Sequence, residues 1–367
     1  MHILKRYRNF FITIPAFGLD ISDKTIKFVW LKGEELELQD FGELSLPPGL
    51  LKDGEVKDEK GLSQVLRDLV SQRRLPRFVA ISIPEQKGFV RTIQLPFMEK
   101  DEIRDAIKWE LEANIPIPLP EALFDFDILP STQKLDHLDI NVIALPLGVA
   151  RGYINACELA GLTPMVLELE PQAIARAVVP TQDLATYTFA ICDFGATKTG
   201  IAMVSSAVRF TASRSISGDS FTEILAQAMK ISPEQAEEKK QRFGISASNE
   251  GRAILGVLAP HLQLLVREIR DAVEFYQSHT LHTHGVSPKI HKVYLCGGGA
   301  NLNGLASYLS RELGVLCQRA NPWVNILPWP PRRVPRISAD KALGFTTALG
   351  LALRGVHVPL ISSPLNS

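Results

Sequence analysis

The stretch that most limits the possible folds is 189–204, FAICDFGATKTGIAMV. Apolar residues lead into Asp193, a small polar loop follows, and an apolar run resumes, so the pattern predicts two strands joined by a tight turn. Such a turn can point several backbone N–H groups at one place, which suits phosphate oxygens, and Asp193 could hold Mg²⁺ through water. A structural Asp-Gly turn explains the same pattern equally well. The residues of the loop that could hold phosphate are Gly195, Ala196, Thr197 and Lys198.

The same construction appears near the start of the chain. Residues 17–30, FGLDISDKTIKFVW, again predict a strand, an aspartate, a polar turn and a second strand. Asp20 takes the position that Asp193 has in the later copy. Two copies of one construction predict duplicated halves that face each other across a ligand. The residues of the first turn are Ser22, Asp23 and Lys24.

A glycine cluster marks a third loop. The apolar strand predicted at 293–295 is soon followed by Gly297, Gly298 and Gly299, and a helix-like run extends over 302–313. Three glycines at a junction between a strand and a helix let a flat ligand approach the backbone closely. This loop is therefore a candidate site for a flat ligand.

Together the three loops resemble the two phosphate loops and the adenosine loop of the superfamily of actin, sugar kinases and heat-shock ATPases. The resemblance implies ATP with Mg²⁺ bound between two lobes, with Asp20 and Asp193 on the metal side. The segment Glu170-Pro171-Gln172-Ala173 resembles the Glu-Pro-Thr-Ala of the heat-shock branch. By this resemblance Glu170 is the catalytic candidate that orients water or the hydrated metal. A strand-end glutamate before a proline is the structural alternative.

Eight sequence blocks, given at the end of this paragraph, follow one another over nearly the whole chain in an order that resembles the PilM family. Members of that family are the cytoplasmic actin-like proteins of type IV pilus assembly and relatives of the cell-division ATPase FtsA. The second block, with its IPIP segment, is far more specific than the phosphate loops, which the superfamily shares. The resemblance implies an α/β, actin-like (ribonuclease H-like) two-lobe ATPase fold with an inserted small α+β domain. The blocks are GLDISDKTIK, RTIQLPFMEKDEIRDAIKWELEANIPIPLPEALFDFDIL, LELEPQAIARA, DFGATKTGIAMV, SGDSFTEIL, REIRDAVEFY, CGGGANLNGL and ALGLALRG.

The resemblance also implies domain limits. Residues 1–85, 148–185 and 321–367 would form the first lobe, and residues 186–320 would form the second. Residues 86–147 predict a strand, a helix and two further strands, and they would be an inserted domain that replaces the small subdomain of actin. The pattern alone leaves open that this segment continues the first sheet.

Two pairs of residues would complete the nucleotide site by the same resemblance. Gly218 and Asp219, at a helix start, would lie near the ribose or the phosphates. Glu237 and Lys240, at i and i+3 of one helix, would meet the ribose and the adenine. Helix capping and a surface salt bridge are the respective structural alternatives.

Two residues depart from the family pattern. Ser22 stands where the first phosphate loop usually has glycine, so its side chain could obstruct a phosphate. Lys198 stands where a small residue is usual, and it could either meet a phosphate or point outward. Both departures bear more on ATP turnover than on nucleotide binding.

Composition excludes several classes of function. Lys+Arg and Asp+Glu both number 40, so the formal net charge is zero and nothing indicates a nucleic-acid partner. No stretch reaches the ~20 apolar residues of a membrane-spanning helix. The late apolar stretch, 340–354, instead predicts an Ala/Gly-rich helix that packs closely on another helix. The four cysteines form no CxxC pair, which is typical of reduced core residues in a cytoplasmic protein.

Two charged clusters have simple interpretations. The basic start, with Lys5, Arg6 and Arg8, is interpreted as a solvated lead-in to the first strand, with contact to an anionic membrane surface as the alternative. A group of histidines near the end of a helix lacks an interleaved cysteine or carboxylate, which favours a solvated loop over a metal site. These histidines are His279, His282, His284 and His291.

The leading functional hypothesis is a cytoplasmic ATP-binding scaffold of the type IV pilus machine, attached peripherally to the inner membrane through partners. The resemblance implies that it binds the N-terminal cytoplasmic peptide of PilN, with other pilus proteins and self-association left open, and that it hydrolyses ATP slowly at most. The Pro-rich stretch 115–120, which begins with IPIP, could form the rim of the peptide groove or pack into its own domain. A small-molecule kinase of the same superfamily and an FtsA-like, filament-forming ATPase are the alternatives.

Overall fold

A computed structural model describes residues 15–115, 117–129, 136–279, 286–327 and 336–356. Within these residues the chain forms fifteen strands and ten α-helices. The strands are β1 (Ala16–Ile21), β2 (Thr25–Lys32), β3 (Glu37–Ser45), β4 (Leu51–Lys52), β5 (Glu55–Val56), β6 (Phe78–Ile83), β7 (Phe89–Pro96), β8 (Ala122–Ile128), β9 (His137–Pro146), β10 (Thr163–Leu169), β11 (Thr188–Phe194), β12 (Thr199–Ser205), β13 (Ala207–Arg214), β14 (Ile290–Cys296) and β15 (Cys317–Arg319). The helices are α1 (Glu59–Arg73), α2 (Lys100–Asn114), α3 (Leu147–Leu159), α4 (Glu170–Val178), α5 (Gly218–Met229), α6 (Pro233–Phe243), α7 (Asn249–His279), α8 (Leu305–Leu313), α9 (Ala339–Leu343) and α10 (Thr346–Val356).

Two five-stranded sheets repeat one topology. The first has the order β10-β6-β1-β2-β3, and the second has the order β13-β12-β11-β14-β15. In each, three consecutive strands form an antiparallel meander, and two later strands add in parallel beside its first strand. The prediction of duplicated halves is confirmed. We call the units built on these sheets the first half and the second half.

The segment predicted as an inserted domain contains a third sheet, of order β7-β9-β8, with helix α2 packed on it. It has its own apolar cluster, separate from the main core of the two halves. From the Pro-rich stretch 115–120, Ile115 and Leu119 pack against this cluster, whereas Pro116 lies outside the described residues. The limits of the domain remain a prediction. The buried residues of the cluster are Leu95, Ile103, Ile107, Leu111, Ile140 and Val142.

The last helix, α10, returns to the first half and packs closely there. A Cβ on Gly350 would lie 1.8 Å from the carbonyl oxygen of Ala173 in α4, and a Cβ on Gly18 in β1 would lie 2.3 Å from that of Ala348. This contact confirms the close helix packing that the Ala/Gly-rich sequence predicts. Glycine is needed on both surfaces because the backbones touch.

Two predicted helix limits were wrong. The single helix expected over 340–354 is two helices, α9 and α10, broken at Gly344. The break allows Phe345 to be buried, with its ring edge-on to Phe41 at 5.8 Å. The helix expected over 302–313 begins only at α8, because Gly304 before it has a left-handed backbone with φ of +89°.

The expectation of unpaired core cysteines is confirmed. All four cysteines are free and buried in the core. None of the described helices is both long and apolar enough to cross a bilayer. The basic start of the chain lies outside the described residues.

Candidate functional site

A cleft lies between the two halves at the edge where β1 and β11 end. It consists of two adjoining cavities of about 670 Å³ and about 290 Å³, which share Lys27, Glu43, Gly195, Ala196, Gly298 and Gly344. Every residue predicted for the nucleotide site lines one or both cavities. The smaller cavity also has Asp20, Ser22, Asp23, Lys24, Glu170, Asp193, Thr197, Lys198 and Gly297 on its wall, and the larger has Gly218, Asp219, Glu237, Lys240 and Gly299.

The second hairpin turn is fixed by its own backbone and by helix α5. The N–H of Gly195 donates to the carbonyl of Lys198 at 2.9 Å, which closes the turn. The N–H groups of Gly218 and Asp219 donate to the carbonyls of Gly195 and Ala196 at 3.0 and 2.9 Å. Helix α5 therefore holds the turn from behind, and these two N–H groups are already used. Gly218 and Asp219 would act on a ligand by positioning this turn.

The N–H groups at the tip of the second turn remain available. Among the described residues, no backbone carbonyl accepts a hydrogen bond from the N–H of Ala196, Thr197 or Lys198. All three residues line the cavity. Consecutive N–H groups of this kind can form an anion-binding concavity, so the turn offers donors that phosphate oxygens could use.

The first turn accommodates the serine that departs from the family pattern. The hydroxyl of Ser22 donates to the carbonyl of Thr25 at 3.0 Å and accepts from the N–H of Thr25 at 3.1 Å. The Oδ1 of Asp23 accepts from the N–H of Gly54 at 2.9 Å, which ties the turn to the neighbouring loop. The side chain of Ser22 therefore folds back onto its own turn.

Three half-buried carboxyl groups line the smaller cavity. Burial raises the pKa of Asp20 above its usual value, although Lys27 opposes the shift. Burial, together with Glu85 and Asp20, raises the pKa of Asp193 to about 7. Burial and the neighbouring carboxylates, Glu85 first among them, raise the pKa of Glu170 well above its usual value. A cation here would relieve the cost of holding these groups ionised.

The donor set suits Mg²⁺ better than a metal that the protein coordinates alone. Among the described residues, no three or more His, Cys, Asp or Glu side chains form a metal-binding group. Mg²⁺ usually keeps several waters and takes only one or two carboxylates plus phosphate oxygens. Asp20 and Asp193, on opposite halves of the cleft, fit this requirement.

The three glycines have different roles. A Cβ on Gly297, whose φ is +77°, would lie 2.6 Å from the Oδ1 of Asp193, and a Cβ on Gly299 would lie 2.3 Å from the ring of Phe194. A Cβ on Gly298 would meet nothing within 4 Å, and Gly298 lines both cavities. Only Gly298 therefore has open space above it, and its two neighbours are required for packing against the end of β11.

Glu237 and Lys240 belong to a polar network in which Lys240 and Thr222 are buried and Glu237 is half-buried. The ammonium of Lys240 donates to the carbonyl of Gly218 at 2.8 Å, to the hydroxyl of Thr222 at 2.6 Å and to the carboxylate of Glu237 at 2.6 Å. Thr222 also bonds to Glu237. Lys240 is buried, so the i, i+3 pair is more than a surface salt bridge. It fixes α6 against the start of α5, on the wall of the larger cavity.

The lysines at the two turn tips reach across the cleft. Lys24 of the first half forms an ion pair with Asp219 of the second. Lys198 of the second half donates to the Oε1 of Gln86, and its Nζ lies 3.9 Å from the Oδ1 of Asp53, both in the first half. Both ammonium groups are thus engaged with protein acceptors.

Some cleft residues escaped prediction from the sequence. Glu85 lies just after β6, which runs parallel beside β1, so its position at the same sheet edge follows once the strand order is known. Lys27 is the register partner of Asp20 across the first hairpin, a relation that the hairpin pattern contains. Thr346 and Thr347 at the start of α10 also line the cleft. No local signal marks these threonines.

The histidine cluster divides between two ring stacks. The ring of His279 stacks on that of Phe275 at 4.0 Å, and the ring of His291 stacks on that of Tyr187 at 4.2 Å. His282 and His284 lie outside the described residues.

Comparisons with known proteins agree with this architecture. A solved "PilM-PilN type IV pilus biogenesis complex" contains a chain 30% identical to this one, with 95% of this chain and 100% of that chain covered and a TM-score of 0.79. The ethanolamine utilization protein EutJ from Carboxydothermus hydrogenoformans is 21% identical, with 94% and 92% covered and a TM-score of 0.53.

A third solved structure extends the likeness. MreB 5 of Spiroplasma citri, bound to AMPPNP, is 13% identical, with 93% of this chain and 96% of that chain covered and a TM-score of 0.54. The likeness to EutJ and MreB concerns the fold, which is actin-like. The model of the family "Type IV pilus assembly protein PilM" matches residues 18–356. Two equivalent halves around a cleft, and a family match over nearly the whole chain, show that this chain belongs to the PilM family of type IV pilus assembly proteins.

Proposed function

We propose that this chain is an ATP-binding scaffold of type IV pilus assembly, which binds Mg-ATP between its halves and the N-terminal peptide of PilN at its third sheet. The observation that carries the nucleotide part is the convergence of both hairpin turns, both aspartates and the triple glycine on one cleft. These segments are far apart in the sequence. A shared ligand is a direct reason for them to meet.

Each part of the cleft has a role in this proposal. The free N–H groups of the second turn and the turn at Asp23 and Lys24 would hold the phosphates. Asp20 and Asp193 would hold the hydrated Mg²⁺, which supplies charge neutralisation at the phosphates. The larger cavity, with Gly298 on its wall and the network of Glu237 and Lys240 nearby, would hold the nucleoside.

Hydrolysis would be slow at most. Glu170 lines the smaller cavity at the first turn of α4, where a water-orienting carboxylate would be needed. Burial and Glu85 raise its pKa well above the usual value, which favours the protonated form. A protonated carboxyl group is a poor general base. The bound nucleotide would therefore act mainly as a ligand that joins the halves.

The third sheet supports the peptide part of the proposal. Strand β8 is an edge strand, and in the described part of the chain it pairs only with β9. Its exposed side chains include Leu123 and Ile128, and Phe97 and Trp109 of the same segment are 62% and 76% exposed. An extended peptide could add main-chain hydrogen bonds to such an edge and fill apolar pockets beside it.

The partner is proposed from the family relation. The similar solved structure is a complex of PilM with PilN, and that statement concerns those two proteins. By family membership we extend the partner to this chain. Its place would then be the cytoplasmic face of the inner membrane, held there by partners.

Calorimetric titration of the nucleotide-free protein tests both parts. Mg-ATP and a synthetic peptide from the N-terminus of the candidate PilN should each bind with measurable heat at one site. A ligand at ~100 times its dissociation constant contributes about 2.7 kcal/mol to the free energy of unfolding. An unchanged melting temperature in millimolar Mg-ATP, together with no heat, would rule out the nucleotide site. The absence of peptide binding would rule out only the partner.

A further inference from the structure

The two hairpin tips make reciprocal contacts across the cleft. Lys24 extends from the first turn to Asp219 at the start of α5, and Lys198 extends from the second turn to Gln86. Each half therefore contributes one ammonium group and one acceptor. The contacts lie at the two loops that would hold phosphate: Lys24, Gln86 and Lys198 line the smaller cavity, and Asp219 lines the larger one.

The acceptors are held in place by their own halves. Asp219 is anchored because its N–H donates to the carbonyl of Ala196 at 2.9 Å. The Nε2 of Gln86 donates to the carbonyl of Asp53 at 3.0 Å, and the Oδ1 of Asp53 lies 3.9 Å from the Nζ of Lys198. Fixed acceptors lower the entropy lost when a flexible lysine is ordered.

We propose that Lys24 and Lys198 form a pair of cross-cleft contacts that hold the two halves together when no nucleotide is bound. The regulatory meaning of this pair rests on the proposed nucleotide site, because an anionic phosphate would compete with Asp219 and Gln86 for the same ammonium groups. The contacts themselves need no nucleotide. Partly exposed charge pairs are individually weak, so the pair would bias the closed form without locking it.

The distance between two spin labels tests the proposal. Lys60 of α1 and Glu238 of α6 are exposed and lie on opposite halves, and the native cysteines are buried, so Lys60→Cys and Glu238→Cys provide selective attachment sites. Pulsed electron resonance without nucleotide should show mainly the shorter, closed distance. In the full chain with Lys24→Met and Lys198→Met, the ratio of open to closed distances should rise by roughly 2- to 30-fold. Methionine keeps the apolar stem and removes the charge.

A matched control separates this effect from a general loss of charge. Lys57 pairs with Glu55 at 2.6 Å within the first half, so Lys57→Met should leave the distance distribution unchanged. High salt should open the parent protein in the same direction as the double variant, because at 1 M the screening length falls to about 3 Å. A double variant that stays closed, or one that opens no more than Lys57→Met, would overturn the proposal.

The nucleotide site is tested separately. Calorimetry on the unlabelled parent protein measures Mg-ATP binding, whereas the distance measurement is made without nucleotide. A parent that binds no ATP but opens on removal of the lysines would refute the proposed function and support the cross-cleft contacts. Failure of the nucleotide site and failure of the cross-cleft contacts therefore give different results.

Discussion

Asp20 and Asp193 each occupy the last position but one of the first strand in their half. Asp20 faces Lys27 across the first hairpin, whereas Asp193 faces Gly200 across the second. The halves are therefore equivalent in topology but not in charge at this position. The positive charge of Lys27 lowers the pKa of both Asp20 and Asp193 and so opposes the rise caused by burial. Lys27 is the second-largest cause for Asp20 and the smallest for Asp193, so a bound cation would matter more beside Asp193.

Replacing Asp193 should affect the metal-bound nucleotide selectively. Asp193→Ala should weaken Mg-ATP more than metal-free ATP, because the carboxylate acts through the cation. Titration calorimetry with and without Mg²⁺ measures both affinities. Asp125→Ala, which removes an exposed carboxylate of β8 outside the cleft, is the control and should change neither. An equal loss with and without Mg²⁺ would leave Asp193 as a turn residue.

Stability without Mg²⁺ should fall as the pH rises toward 7. The pKa of Asp193 is raised from 3.8 to about 7, so the folded state binds this proton more tightly than the unfolded state between those values. Asp193→Asn should therefore raise the free energy of unfolding at pH 8, by on the order of 4 kcal/mol from a shift of this size, and by less at pH 5. Urea unfolding at both pH values measures the difference. If Asp193→Asn raised the free energy of unfolding equally at pH 5 and pH 8, the raised pKa of Asp193 would be contradicted.

The affinity for Mg-ATP should also respond to this titration. Only the carboxylate form of Asp193 can attract the cation, so a protonated group competes with the metal. Affinity should rise as the pH increases toward 7 and level off above it. Titration calorimetry between pH 5.5 and pH 8.5 in buffers of different ionisation enthalpy would show proton release on binding. The absence of proton release below pH 7 would contradict this coupling.

Adjacent glycines of the third loop should behave differently. Gly297→Ala should destabilise the fold by about 2 kcal/mol or more, because φ is +77° and the Cβ would strike Asp193. Gly298→Val should leave the melting temperature nearly unchanged while reducing nucleotide affinity, because its side chain would enter the open cavity. Thermal unfolding and calorimetry measure the two effects. If both variants only destabilise, the loop has no ligand-facing role.

The contact between α10 and α4 should be intolerant of a single methyl group. Gly350→Ala should cost about 3 kcal/mol or more, because the new Cβ would overlap the carbonyl of Ala173. Gly256→Ala in the exposed part of α7 meets nothing within 4 Å and should stabilise by about 0.5–1 kcal/mol. Urea unfolding of the two variants gives the comparison. If Gly350→Ala left the free energy of unfolding unchanged, the two helices would be packed less closely than described.

The PilN peptide should protect one region from hydrogen exchange. Protection should cluster in residues 85–147 and in the adjoining first half, since the exposed edge of β8 lies there. A peptide with the same composition in scrambled order is the control. Protection confined to 186–320 would refute the groove assignment while leaving the partner intact.

Local patterns were sufficient for the hairpins, whereas Glu170, Gly218, Asp219, Glu237 and Lys240 were placed at the cleft only through the family resemblance. The alternation around Asp20 and Asp193 and the polar turns after them are properties of short segments, so both strands and turns could be predicted. The partners of Lys24 and Lys198 could not, because they lie more than a hundred residues away. The break at Gly344 was missed for a similar reason, since burial of Phe345 against Phe41 decides it. Local sequence patterns do not show which distant segments come into contact.

The return of α10 to the first half has a consequence for synthesis on the ribosome. The strands of the second half are consecutive in the chain, from β11 to β15, and can pair before the last helix emerges. The first half begins much earlier, yet the faces of β1 and α4 that receive α10 stay uncovered until residues 346–356 have left the exit tunnel. The part of the protein that is translated first is therefore the last to be completed, and in the meantime its apolar surface is open to chaperones.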